Sequence, residues 1–282
     1  MTTVAILGSG DLAATAARRL AERELARRIV MVDANDGRAR GKALDLMQSG
    51  PVEGYDVSIE GCAQINEAGP FDVLLVADPP ALDEPAAGNR PAELMASLAP
   101  KIQGALLIVA GLHGAALVEA AVRAGIARER VLGSAPVGLV SALRRHLSRE
   151  LETEPRTVAA TVLGLPGQLL LPQGAATVSG IPVERLSPTA ARRALAAVNG
   201  RTLGPVALAA GAATLLQALR SSRASVLSVT AFLQGEYGHR GVALAVPARV
   251  GNGRLQSVLE APMEPVDRVA FDNAAARRPA YR

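Results

Sequence analysis

Residues 4–13 read VAILGSGDLA, and this stretch decides how the rest of the chain is interpreted. The aliphatic run Val4–Leu7 predicts a buried β-strand, and the segment after the glycines has the apolar spacing of an amphipathic helix. Between strand and helix, Gly8, Gly10 and Ala13 follow the pattern G-x-G-x-x-A. Such a pattern predicts a tight turn, a backbone open to close approach by another group, and close packing of helix on strand.

An acidic residue ends the second predicted strand, Ile29–Val32: Asp33 lies twenty residues after Ala13. Phosphate groups bind at a helix N-terminus that follows a glycine turn, and a carboxylate at this spacing accepts hydrogen bonds from a ribose diol. The combination predicts a dinucleotide site, whose residues are Gly8, Gly10, Asp11, Leu12, Ala13 and Asp33.

The same acidic residue predicts which dinucleotide is bound. A carboxylate at Asp33 repels a 2′-phosphate, so NAD is favoured over NADP, although Arg38 weakens the preference slightly. The alternative reading is a purely structural glycine turn in which Asp33 serves as a helix cap.

The first half of the chain alternates short aliphatic runs with alanine- and arginine-rich amphipathic segments. This alternation is typical of a parallel sheet covered by helices on both faces. The predicted strands are Val4–Leu7, Ile29–Val32, Val57–Ile59, Val73–Val76, Leu106–Ala110 and Val131–Leu132. The predicted helices are Leu12–Ala26, Gly37–Gln48, Pro91–Gln103, Gly114–Ala124 and Val137–Glu150.

The pattern changes near Leu151–Pro155. Strand-like stretches are predicted at Thr157–Leu163 and Ala175–Val178, a helical region at Pro188–Arg223, and an antiparallel meander at Ser225–Phe232, Val242–Val250 and Arg254–Leu259. The predicted fold class is α/β, a Rossmann doubly wound parallel sheet followed by an α+β C-terminal domain that contains the meander. The predicted domains are residues 1–140 and 141–282. The tail Phe271–Arg282 is expected to fray.

Composition excludes several functional classes. The net charge is +4 and the bases are interleaved with acids, so nucleic acid is not an expected partner. Cys62 is the single cysteine, which excludes an internal disulfide and a cysteine metal cluster and fits the reducing cytoplasm.

Asp11 interrupts the first apolar run, so no secretory signal is expected. The apolar window Ala105–Val122 contains His113 and Glu119, and no membrane span is expected. No metal site is predicted.

The chain resembles the lactate/malate dehydrogenase family at both ends. The stretch from Val4 to Gly61 is similar to that family's first two βα units, and the stretch from Val226 to Ala275 is similar to its closing meander and last helix. Between them, Val131-Leu132-Gly133 and Ala175–Pro182 keep the register. The resemblance implies a nicotinamide-dependent conversion between a 2-oxo and a 2-hydroxy acid, carried out by a dimer or tetramer.

The resemblance also implies where the catalytic residues of the family stand in this chain. The family's acid/base histidine lies in a Gly-Gly-His-Gly-Asp run, and its position is occupied by Pro166. The aspartate that holds the histidine and an arginine that binds substrate correspond to Leu139 and Ala142. Proline can neither donate nor accept the proton, and the other two residues are apolar.

Two further segments depart from the family pattern. The loop that carries two arginines in the family is here Asp78–Arg90, which retains only Arg90. The Thr-Asn-Pro segment after strand five is replaced by Ala110-Gly111-Leu112. The adenosine half of the predicted site is therefore retained, while the nicotinamide half and the catalytic set are altered.

Two histidines are candidate replacements for the missing acid/base. His113 follows strand five at the carboxyl edge of the sheet, and His146 lies one turn beyond Ala142 beside Arg144 and Arg145. For each, the alternative is a residue without a catalytic role. A third histidine, His239, lies in a predicted surface turn and is expected to be structural.

Three hypotheses follow for function. The leading one is a catalytically degenerate relative of the family that binds NAD(H) and acts as a binding or partner subunit. The alternative is an active NAD-dependent oxidoreductase acting on malate/oxaloacetate or another 2-hydroxy/2-oxo acid with a relocated acid/base. The third is a structural subunit without nucleotide. A homo-oligomer is expected, with Pro91–Gln103 and Pro188–Arg223 as candidate surfaces.

Overall fold

The computed structural model of the protein describes residues 2–77, 90–102 and 104–276. The predictions made for the loop Asp78–Asn89, for Gln103 and for residues 277–282 of the tail fall outside these ranges.

The first half of the chain forms a parallel sheet with helices between its strands. The strands are β1 (Thr3–Leu7), β2 (Arg28–Val32), β3 (Ser58–Cys62), β4 (Val73–Val76), β5 (Leu106–Val109) and β6 (Val131–Gly133). The helices are α1 (Asp11–Glu22), α2 (Asp36–Glu53), α3 (Arg90–Leu98), α4 (Ala115–Arg123) and α5 (Ala135–Glu150). Every predicted element of this half is present, β4 with the predicted bounds and the others with shifted ends. Helix α2 continues past the predicted Gln48 until Gly54, whose φ of +82° ends it in the left-handed region.

The strand order is β3-β2-β1-β4-β5-β6, and the neighbouring strands of this series run parallel. Alternate residues face two apolar layers: Val4 and Ile6 pack on one side of the sheet, and Ala5 packs on the other. The order reverses between β1 and β4, where Val4 pairs with Val73. In sheets of this type, ligands bind outside the carboxyl ends of the strands at the reversal point.

The second half extends the same sheet with antiparallel strands. Its strands are β7 (Val158–Ala160), β8 (Leu163–Leu165), β9 (Gln168–Leu170), β10 (Ala176–Val178), β11 (Ile181–Pro182), β12 (Ser225–Gln234), β13 (Arg240–Gly251) and β14 (Arg254–Val258). Its helices are α6 (Val183–Leu186), α7 (Pro188–Asn199), α8 (Pro205–Arg220) and α9 (Pro265–Ala276). Strand β12 joins β6 where Thr230 meets Gly133, and a Cβ on that glycine would lie 2.7 Å from the Thr230 Cβ. Glycine is therefore required for β12 to approach β6.

The predicted meander is confirmed: β12, β13 and β14 pair antiparallel, and Asn252 and Gly253 form the last turn with positive φ. Together with the parallel half, this pairing confirms the predicted fold class. Strands β13, β8 and β9 continue the main sheet, while β11, β10 and β7 form a separate small one. The predicted strand-like stretch Thr157–Leu163 is confirmed at β7 but is not one continuous strand, because the chain passes from the small sheet to the main sheet before β8 begins at Leu163.

Two other expectations are corrected. The predicted helical region Pro188–Arg223 is two helices, because α7 ends at Asn199 and a second helix, α8, starts at Pro205 after its N-cap Gly204. The predicted fraying of the tail is wrong as far as Ala276. Phe271 is fully buried on α9, with its ring centre 5.1 Å from that of Tyr237.

The division into residues 1–140 and 141–282 cuts through α5, which runs without interruption across this point. The division remains a proposal. Within the described residues, no helix combines the length and apolar character needed to cross a membrane.

Candidate cofactor and substrate site

The glycine turn connects β1 with α1 and faces the end of β2. Gly8 has a φ of +113°, and its N–H donates to the Val32 carbonyl at 2.8 Å. Gly10 is the N-cap residue of α1 and supplies no side-chain cap. A helix start of this kind presents backbone dipoles rather than a competing side chain, so it is suited to a phosphate group.

Asp33 is held in a fixed orientation at the end of β2. Its Oδ2 accepts a 2.6 Å hydrogen bond from the Ser9 hydroxyl, and its Oδ1 accepts a 2.9 Å bond from the Asn35 N–H. Burial raises the pKa of Asp33, but these hydrogen bonds and the charge of Arg38 outweigh burial and leave the pKa below its ordinary value. The side chain is therefore an oriented carboxylate at neutral pH, with lone pairs left for further donors.

The alternative role of Asp33 as a helix cap is not observed. The cap of α2 is Asn35, whose side-chain oxygen accepts a 3.0 Å bond from the Arg38 N–H. The Asp33 carboxylate lies beside the glycine turn, where two hydroxyl donors of a ribose match its acceptor chemistry.

A cavity of about 530 Å³ lies at the point where the strand order reverses. It opens at the carboxyl ends of β4 and β5 and reaches the start of α1 and the chain before α8. The described residues that line it are Asp11, Leu12, Ala77, Val109, Gly111, Leu112, His113, Gly114, Leu117, Thr202, Leu203, Pro205 and Leu208. Asp11, Leu12 and His113 were predicted as site residues, and the structure brings all three to this cavity.

The two apolar replacements on α5 belong to the packed interior. Leu139 is 1% exposed and lies in an apolar cluster with Leu143 and Val162, and half-buried Ala142 packs against that cluster. Leu112 and Leu203, which line the cavity, pack against the same cluster. Apolar core therefore lies behind this wall of the cavity. It includes Leu139, which stands at the position where the family resemblance implies an aspartate.

Pro166 lies in the turn between β8 and β9, where Leu165 pairs with Gln168. Gly167 follows it with a φ of +81°, so proline and glycine stand at the two central positions of a tight turn, as in type II turns. The Asn199 side chain fixes β9 by accepting from the Leu169 N–H at 2.8 Å and donating to its carbonyl at 2.9 Å. Pro166 is not among the described residues that line the cavity.

The histidines occupy three different places. Exposed His113 lines the cavity, whereas half-buried His146 is not among its described lining residues. Burial lowers the pKa of His146 below its ordinary value, and three neighbouring positive charges lower it further, those of Arg201, Arg149 and Arg145. His239 Nε2 lies 2.7 Å from an Asp272 oxygen and connects the β12–β13 turn to α9. Of the three histidines, His113 is the one among the described residues that line this cavity.

Two sets of observations lay outside the sequence-based predictions. Thr202, Leu203, Pro205 and Leu208 line the cavity, although the sequence indicated only a helix in this region. Ser9, whose hydroxyl orients Asp33, is an unspecified position of the pattern G-x-G-x-x-A. Arg90, the remaining loop arginine, is exposed at the first position of α3 and is not among the described lining residues. No group of three potential metal ligands occurs in the described part of the chain.

The strand order, the glycine turn and the acidic end of β2 define the class of the protein as a Rossmann-type α/β protein. Two curated relatives, both named malate dehydrogenase, align with most of this chain. The Chloroherpeton thalassium protein is 30% identical over 96% of this chain and 94% of its own length. The Thermomicrobium roseum protein is 31% identical over 96% of this chain and 94% of its own length. The chain belongs to the lactate/malate dehydrogenase family.

Solved structures agree with this assignment. The malate dehydrogenase from Salinibacter ruber superposes with a TM-score of 0.85 at 26% identity, covering 98% of this chain and 94% of that one. An L-lactate dehydrogenase from Enterococcus mundtii, at 19% identity, shares the fold with a TM-score of 0.84. No family model matches the sequence.

Proposed function

We propose that this protein binds NAD(H) in the cleft at the carboxyl edge of its parallel sheet and does not convert malate or lactate by the family's histidine-based mechanism. The observation that carries the proposal is the apolar cluster around Leu139, which fills the place of the residue that would hold the acid/base. Pro166, at the position of that acid/base itself, has no group that exchanges a proton. Such a protein acts as a binding or partner subunit.

The cofactor part of the proposal rests on the Gly8–Ala13 turn and on Asp33. The backbone N–H groups at the start of α1, from Gly10 to Leu12, would contact the pyrophosphate, while Gly8 makes the turn and fully buried Ala13 lets α1 pack closely on β1. Asp33 would accept hydrogen bonds from the ribose and disfavour a 2′-phosphate. NAD(H), when bound, supplies hydride-transfer chemistry. A cytoplasmic location fits a chain with one cysteine, and Cys62 is buried.

The absence of a substrate clamp supports loss of turnover. The segment 78–89 reads DPPALDEPAAGN and contains no arginine or lysine. Together with Ala142 on α5, this leaves Arg90 as the one remaining member of the positive groups that the resemblance implies for binding a substrate carboxylate, and Arg90 is not among the described residues that line the cavity. A 2-oxo acid is thus a poor match for the remaining residues.

A second candidate function is an active NAD-dependent oxidoreductase with His113, or His146, as a relocated acid/base. Its support is that the aligned relatives are named malate dehydrogenase and that His113 lines the cavity. Turnover that disappears in a His113→Ala/His146→Ala double variant would establish this alternative. A third candidate, a structural subunit without nucleotide, is separated from both by a test of NADH binding.

Saturating NADH is expected to raise the melting temperature, because a ligand that binds only the folded state stabilises it. At about one hundred times Kd the gain is about 2.7 kcal/mol, which for a chain of this size corresponds to about 5–10 °C. The variant Asp33→Arg should lose at least about tenfold in NADH affinity, since it removes the ribose acceptor. The measurement is differential scanning fluorimetry, with NADH titrated against each protein.

The matched control for this test is Asp56→Arg, which makes the same charge change at an exposed residue next to β3. It should leave NADH affinity unchanged. Equal NADH affinity in Asp33→Arg and the unmodified protein would rule out the predicted ribose contact, and the absence of any NADH-induced shift would favour the structural subunit.

We also propose a homo-oligomer, with helix α2 in the contact. The helices expected to provide its surface bury most of their large apolar residues within the chain, among them Met95 on α3 and Leu215 on α8, although Val206 at the start of α8 is exposed. In contrast, Leu44, Met47 and Val52 are exposed on α2. Apolar side chains exposed together on one helix are typical of a protein–protein contact.

Introducing a charge on α2 should therefore reduce the assembly. In Met47→Glu, sedimentation velocity is expected to show a shift from a multiple of 29.0 kDa towards 29.0 kDa. The neighbouring exposed residue gives the control Gln48→Glu, which adds the same charge without removing an apolar group. If both variants form the same oligomer as the unmodified chain, α2 lies outside the contact.

A further inference from the structure

The cavity beside the proposed cofactor site has a distinctive distribution of charge. Among the described residues that line it, Asp11 is the one carboxylate, and it also belongs to the proposed cofactor site. Neither arginine nor lysine occurs in the described lining. A ligand carboxylate placed here would lose hydration without gaining an arginine or lysine partner.

The wall of the cavity is apolar and has little freedom to change. Leu112 and Leu203 are each half-buried and pack on two apolar clusters at once. Leu117 is buried and belongs to a third layer on the other face of the sheet. Apolar side chains lie behind these leucines, so the wall offers a ligand apolar contact and no polar partner.

Two further side chains in the lining can form hydrogen bonds. The His113 ring and the Thr202 hydroxyl are both exposed and both able to donate to a carbonyl oxygen. The Asp11 carboxylate can accept from an N–H or O–H group of a ligand. An apolar wall with a few polar groups at one side is the usual composition of a site for a small neutral molecule.

We propose that this cavity binds a neutral aliphatic carbonyl compound, such as an amide, ketone or aldehyde, in place of a 2-oxo acid. The apolar part of the ligand lies against Leu112, Leu117 and Leu203, and its carbonyl oxygen accepts from His113 or Thr202. The inference rests on the proposed function in one respect, that NAD(H) occupies the adjoining part of the same cleft.

The test compares two ligands of nearly the same shape that differ in charge, isovaleramide and isovalerate. Each is titrated into the full-length protein by isothermal calorimetry at pH 7.5, with and without NADH. The amide is expected to bind at least about tenfold more tightly than the carboxylate, because the amide brings its own donors and no charge. Equal or tighter binding of isovalerate would overturn the proposal, as would no binding of either ligand up to about 50 mM.

A variant adds a positive group to the lining at an exposed position. His113→Arg places a permanent cation at an exposed position of the cavity, and isovalerate affinity is expected to rise by about tenfold while amide affinity changes little. Leu186→Arg is the control, because it adds the same group at an exposed residue outside the lining. An increase in isovalerate affinity of the same size in both variants would place the binding elsewhere.

The two proposals fail in distinguishable ways. If NADH produces no thermal shift but the amide still binds preferentially, the cofactor proposal fails and the ligand class stands. If NADH binds and isovalerate is preferred, the ligand class fails and the cofactor proposal stands.

Discussion

Micromolar protein supplied with NADH and either oxaloacetate or pyruvate is expected to show turnover below about one per second, the low end of ordinary enzymes. A positioned general acid or base contributes about 10²–10⁴-fold to a rate. Removal of a group that stabilises developing charge costs a further factor of about 10²–10³. Pro166 and Ala142 lack these groups, so the combined loss by the family mechanism is about 10⁴-fold or more. The measurement is the decrease of NADH absorbance over a panel of 2-oxo acids.

This assay must distinguish a protein that does not bind NADH from one that binds NADH but does not catalyse the reaction. NADH is therefore added above the Kd found in the thermal titration, so that an absence of turnover reports on the catalytic residues. Turnover above about one per second would contradict the proposal and would direct attention to His113 and His146. Loss of that turnover in the double alanine variant would then identify a relocated acid/base, and its persistence would exclude both histidines.

The parallel half of the fold could be predicted from sequence because each of its signals is local. Val4–Leu7, the glycine turn and Asp33 are consecutive features of one βα unit and the strand after it, and their physical requirements do not depend on distant residues. The same is true of the Asn252-Gly253 turn, whose backbone preference is sufficient to define a hairpin.

Features that depend on long-range packing could not be predicted in the same way. The assignment of β7 and β8 to different sheets is decided by their pairing partners, β10 and β13, which are remote in the chain. The burial of Phe271 depends on Tyr237, more than thirty residues earlier. Short strands and a chain end give a weak local pattern, and tertiary contacts decide their structure.

The candidate site likewise contains features that local sequence patterns predict and features that depend on long-range packing. Glycine spacing and a following acidic residue predicted the turn and Asp33, whereas the hydroxyl of Ser9 and the wall around Leu203 are visible only in three dimensions. The alignment with the family showed that Leu139 is apolar, but the structure adds that it is enclosed by other apolar side chains. That enclosure gives the substitution a measurable consequence.

Restoring an aspartate at position 139 should destabilise the protein strongly. In Leu139→Asp, apolar contacts in the cluster with Leu143 and Val162 are lost, and a carboxylate enters the core without a cationic partner. The expected loss in unfolding free energy at pH 7 is about 4 kcal/mol, from the lost apolar burial and the buried polar group together. Urea denaturation followed by circular dichroism measures it, provided that the slope against urea is unchanged.

The pH dependence of this loss identifies its cause. Burial raises the pKa of a carboxyl in the folded state above its value in the unfolded chain, so the folded state of Leu139→Asp retains its proton to higher pH. Its stability relative to the unmodified protein should therefore be best below about pH 4, the ordinary pKa of an aspartate. It should fall by about 1.4 kcal/mol per pH unit until the pH passes the folded pKa.

Leu139→Asn is the decisive control, because it has nearly the same shape and polarity but no titrating group. It should be destabilised without this pH dependence, and Leu186→Asp, at an exposed residue, should change stability by less than about 0.5 kcal/mol. If Leu139→Asp and Leu139→Asn were equally stable across the pH range, the carboxylate would have reached solvent or a positive partner. In that event the core behind the cavity would accept an ion-paired aspartate at position 139. Fewer substitutions would then be needed to restore the catalytic residues of the family than the buried position of Leu139 implies.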